Sequence, residues 1–96
     1  MKVFEVVAVF DNLTEAYLEP QFFGTLAEAQ RIFEYQINSI PLWKSNAGDY
    51  ELWSLGRFDS ETGVITSECH KLCKGTSVVR KETSNDLQSA ESSEKE

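Results

Sequence analysis

The stretch from Thr25 to Pro41, "TLAEAQRIFEYQINSIP", decides the fold. Leu26, Ala29, Phe33, Ile37 and Ile40 recur at steps of three and four, which places them in one stripe along a helix. Thr25 and Glu28 stand at capping-box spacing: the hydroxyl accepts from the amide three residues on, and the carboxylate reaches back. Pro41 cannot continue the helix, so the spacing predicts an end near Asn38 to Ile40. Glu28, Arg31, Glu34 and Gln36 fall mostly on the wet side. A helix with one apolar stripe needs another layer to bury it against.

The flanking segments supply that layer. Residues 3–10, "VFEVVAVF", are rich in β-branched and aromatic side chains and end at Asp11-Asn12, which suits a turn. Residues 16–23, "AYLEPQFF", read as a second strand, with Pro20 pointing to an edge or a bulge. After the helix, "PLWKSNAGD" reads as a loop. Residues 50–58, "YELWSLGRF", form a third strand and residues 63–67 a fourth. The order strand-strand-helix-strand-strand predicts an α+β fold, a small antiparallel sheet with one helix packed on one face.

One helix covers one face, yet the strands are apolar on both. Val3, Val7 and Val9 alternate with Phe4, Val6, Ala8 and Phe10. On the third strand Tyr50, Leu52 and Phe58 oppose Trp53 and Leu55. Such a sheet asks for cover on its second face. Two readings stand: a second copy or a partner covers it, or residues 68–80 fold back over it. The first predicts a homo-oligomer.

The loop in "RFDSETGVI", residues 57–65, reads as a hairpin turn. The Asp59 carboxylate can accept from loop amides, and Gly63 suits a left-handed position because it has no Cβ. A Ca²⁺ loop would need more oxygen ligands at wider spacing. A phosphate cradle would not be acidic and would carry a second Gly.

The net charge of the 96 residues is −7. Residues 1–66 carry four basic against ten acidic side chains and hold every Phe and Trp. They belong to the predicted domain, residues 1–67. An acidic body disfavours non-specific binding to nucleic acid or anionic lipid. Residues 68–81 form a basic extension with Lys71, Lys74, Arg80 and Lys81. Residues 82–96, "ETSNDLQSAESSEKE", hold too little apolar surface to offset ordering entropy and read as a disordered acidic tail. The N-terminus lacks a cleavable leader pattern. No apolar run approaches membrane-spanning length, so no membrane partner is expected.

"CHKLC" places Cys69, His70 and Cys73 together, but a structural zinc site wants four ligands. These three are the only Cys and His in the chain. The spacing is not C-x-x-C, and no Gly-rich nucleotide loop is present. No catalytic residue, metal site or cofactor is therefore assigned. The remaining candidates are nucleic-acid contacts. Arg57, Lys71, Lys74, Arg80 and Lys81 are suited to phosphates, and Trp43, Trp53 and Tyr50 to stacking on unpaired bases. The plainer alternative makes the aromatics core and the lysines solubilising.

Three blocks occur in order: "VFD", "YLEPQFFGTLAEAQRIFEYQIN" and "GDYELWSLGRFDSETGVI". Together they resemble the small nonstructural protein of gokushoviruses, single-stranded DNA phages of the Microviridae. The last block matches at Asp49, Tyr50, Leu52, Trp53, Leu55, Gly56, Phe58, Asp59, Thr62 and Gly63. The order Glu19-Pro20-Gln21 and the loop "NSIPLWKSNAGD" depart from the family pattern. The resemblance covers residues 3–66. It implies a non-enzymatic accessory protein in the host bacterium's cytoplasm. That protein would act in the switch from double-stranded replication to single-stranded genome synthesis and packaging. The implied partners are phage replication or procapsid proteins, with single-stranded DNA as the alternative through the basic 71–81 segment.

Overall fold

The computed structural model describes residues 2–80. Five strands and three helices follow in the order β1 (Val3–Asp11), β2 (Ala16–Tyr17), β3 (Gln21–Phe23), α1 (Leu26–Ser39), α2 (Pro41–Ser45), β4 (Tyr50–Asp59), β5 (Ile65–Lys74) and α3 (Gly75–Val78). A 3-10 turn, Ala47–Asp49, joins α2 to β4. Every strand pairing is antiparallel. The path across the sheet is β2-β1-β4-β5, and β3 shares the outer edge of β1 with β2. The single strand expected over 16–23 is thus two short strands. Leu18, Glu19 and Pro20 loop out between them, and Leu18 returns one amide bond to the Val9 carbonyl at 2.7 Å.

α1 forms where its stripe predicts. The Glu28 amide donates to Thr25 Oγ1 at 3.1 Å, and Pro41 starts a new helix instead of extending the old one. Ala29, Phe33 and Ile37 are buried against Val7, Val9, Tyr50 and Leu52. Burying side chains of the size of Phe33 and Ile37 stabilises by about 1.5–3 kcal/mol each before entropy is counted. The segment expected as a loop contains α2 and the 3-10 turn, because Pro41 is pre-organised for a first helical turn. Trp43 on α2 stacks on Tyr50, with centroids 4.5 Å apart.

Two further expectations are corrected. The register of β1 against β4 shifts between Val6 and Val7, where Val6 opposes Gly56 and Val7 opposes Ser54. Leu55 is the extra residue, so alternation reverses there. Phe58 therefore lies with Trp53 on the second face, not with Tyr50 and Leu52. The fourth strand also does not stop at residue 67. β5 runs to Lys74 and is followed by α3. Leu72, Cys73, Val78 and Val79 pack against the core cluster on the α1 side. Residues 68–80 are thus folded, but they do not cover the second face. The tail over 82–96, and Lys81, lie outside the described residues.

Candidate functional site

Among the described residues, no helix packs on the face of the sheet away from α1, and this face is called open below. Cross-strand register sets its residues in rows. Phe4, Phe58 and Ile65 form one end row. Phe22, Val6, Gly56 and Ser67 form the next. Ala8, Trp53 and Lys71 form the third. Tyr17, Phe10, Glu51 and Lys74 close the other end. Three rings at the first end lie nearly parallel: Phe22 is 5.4 Å from Phe58, and Phe58 is 6.5 Å from Phe4. Phe22 is 55% and Ile65 64% exposed, so this end presents apolar surface to solvent. The opposite end is aromatic and charged.

Tyr17 ties the charged end together. Its ring meets Phe10 at 4.9 Å and Trp53 at 6.0 Å, both edge-on, and its hydroxyl lies 3.6 Å from Cys69 Sγ on β5. That reach from β2 passes over β1, where Ala8 is small and buried. Glu51 sits close by and is only 9% exposed. Trp53 Nε1 donates to its carboxylate at 3.0 Å, and Lys71 Nζ lies 3.7 Å away. The Trp53 hydrogen bond, with smaller help from Asn12, Lys71 and Lys74, holds its pKa below the ordinary value despite burial.

The basic residues singled out in the sequence do not form one patch. Lys71 and Lys74 share the open face. Arg57 lies beside Glu5 with Nε 3.4 Å from its carboxylate, and the Glu5–Arg57 pair faces away from Lys71. Arg80 pairs with Glu34 on α1 at 3.2 Å. Trp43 and Tyr50 belong to the α1 side, leaving Trp53 on the open face. In the turn, Asp59 Oδ1 accepts from the Glu61 and Thr62 amides at 2.9 and 3.4 Å, and Gly63 has φ +77°. Cys69 is exposed on the open face, whereas Cys73 opposes Leu52 beside the core, where burial raises its pKa. Among the described residues no group of His, Cys, Asp or Glu could hold a metal ion, and no helix is long and apolar enough to cross a membrane.

Sequence reasoning missed Tyr17, Phe22 and Glu51. Alternation could have flagged Glu51, since an acid between Tyr50 and Leu52 must lie on the other side of the strand from the core. The role of Tyr17 depends on the β2–β1 pairing, which no local pattern encodes.

The family model described as Phage ORF5 protein matches residues 4–78. The chain belongs to that family. The match runs from β1 through α3, so the Phage ORF5 unit includes residues 68–78 of the segment that composition had set apart as an extension. A small phage-associated protein is the function class this membership supports. No curated protein and no solved structure matched the chain.

Proposed function

We propose that this Phage ORF5 protein is a non-enzymatic accessory protein acting in the switch from double-stranded replication to single-stranded genome synthesis and packaging. Its gokushovirus-like blocks supply the role, and family membership supplies the phage context. The observation that carries the reading is the open sheet face, a broad binding surface with exposed Phe22 and Ile65. Its work is contact with phage replication or procapsid proteins in the host cytoplasm. The test is a phage carrying an early stop codon in this gene. The ratio of single-stranded to double-stranded phage DNA in infected cells is expected to fall. An unchanged ratio overturns the role.

A second reading is single-stranded DNA binding. It is favoured by Lys71 and Lys74 on the same face as Trp53 and Tyr17, a combination of cations and stacking rings. Fluorescence anisotropy with oligothymidine at two salt concentrations checks it. Binding that weakens with salt and is lost in Lys71→Ala/Lys74→Ala supports this reading. No binding at low salt removes it.

A further inference from the structure

We infer that a second copy of this chain covers the open face, the two sheets stacked about a two-fold axis that runs along the strands between β1 and β4. The inference concerns self-assembly and stands whether or not the phage role holds. Three features lead to it.

The first is area. Four strand widths at about 4.8 Å and ten residues at about 3.3 Å give a footprint on the order of 600 Å² before side-chain relief is added. A stable interface needs about 800 Å² of accessible surface per partner. The whole face, and not a fraction of it, therefore has to be used, and another face of the same size and shape does so.

The second is charge. The row of Phe4, Phe58 and Ile65, and the adjoining row of Phe22, Val6, Gly56 and Ser67, hold no ionisable group. A polyanion finds nothing there for its phosphates, and a strongly charged protein finds nothing to pair with. Lys71, the central cation of the face, is already bridged to Glu51 at 3.7 Å. Uncharged surface on an acidic body is where two like-charged copies can meet at least cost.

The third is self-complementarity. The proposed axis exchanges β1 with β4 and the β2/β3 edge with β5. Phe4 of one copy then lies over Phe58 of the other, and Phe22 over Ser67, one row from Ile65. At the far end Lys74 meets the ring of Tyr17, a favourable cation–aromatic contact. Glu51 enters the interface with its carboxylate already bonded to Trp53. No buried charge is left without a partner.

The test is sedimentation equilibrium of the full 96-residue chain over about a 100-fold range of concentration. A dimer is expected. Phe22→Glu and Ile65→Lys are each expected to raise its dissociation constant by at least about 100-fold, with an unchanged far-UV circular dichroism spectrum. An equimolar mixture of the two variants is expected to restore a dimer, because Glu and Lys then stand one row apart across the axis as neighbours of opposite charge. If Phe22→Glu fails to fold, the exposed Ile65→Lys and the milder Phe22→Ser decide the matter. A wild-type monomer at every concentration overturns the inference, as does a dimer indifferent to these substitutions or a mixture that stays monomeric. A monomer whose Trp fluorescence is quenched by oligothymidine, with the quenching lost in Phe22→Ser, gives the face to nucleic acid and also overturns it.

Discussion

Gly56 and Gly63 both have positive φ, +141° and +77°, but they are held for different reasons. At Gly63 an added Cβ meets nothing within 4 Å, so only the backbone conformation is strained. At Gly56 the Cβ would run into the carbonyl of Thr66 on the neighbouring strand. Gly63→Val is therefore expected to lower stability by about 1–2 kcal/mol. Gly56→Ala, which combines strain with a backbone clash, is expected to cost about 3 kcal/mol or more. Urea titrations of both variants check the order; equal midpoints would contradict it. The turn was legible in the sequence because Asp59 and Gly63 act locally. Gly56 was not, because its constraint comes from a strand that pairs with it across the hairpin. Glu51 supplies a pH test. Its pKa lies below the ordinary 4.5, so its stabilising contribution is fully present above that pH and lost as pH falls through the depressed value. Glu51→Gln is expected to lower stability at neutral pH and to flatten the acid limb of the stability curve. A wild-type acid limb in the variant would show that Glu51 is not the titrating group.

At the scale of elements, α1 was readable because its stripe and its cap are carried by consecutive residues. β5 was not. Glu68 and Cys69 together oppose Leu55, and Leu72 is an extra residue opposite the Leu52–Trp53 step. Two bulges break the alternation that marks a strand. The strand is also largely exposed, so it carries little apolar pattern of its own. Its C-terminal continuation is held by Asn38. Nδ2 donates to the Glu34 and Val78 carbonyls at 2.8 and 3.0 Å, and Oδ1 accepts from the Arg80 amide at 2.7 Å. Asn38→Ala removes the bonds to Val78 and Arg80 at once, at an expected cost of about 1–3 kcal/mol. Amide hydrogen exchange should then accelerate over residues 75–80 and stay unchanged over β1. Uniform acceleration would mean that Asn38 supports the whole fold instead.

For the whole molecule, the sign of the salt effect separates two uses of the open face. Residues 1–66 carry six more acidic than basic side chains, and two copies of such a body repel. Salt screens that repulsion. Self-association is therefore expected to tighten as salt rises, whereas contact with DNA phosphates weakens. Sedimentation at low and high salt reads the sign directly. The need to cover a second sheet face was visible in the alternation of Phe4, Val6, Ala8 and Phe10. Its composition was not, because the Leu55 bulge moved Phe58 onto it and the pairing of β2 and β3 brought Tyr17 and Phe22.

The Asn38 contacts also govern how the molecule can be displayed. They fasten Arg80 to the helical layer, on the side opposite the aromatic rows. A sensor surface or bead attached at residue 80 would hold the molecule from that side. The sheet face would then point into solution, ready for assays with nucleic acid or partner proteins. Attachment through a residue such as Ile65 would instead block the surface under test.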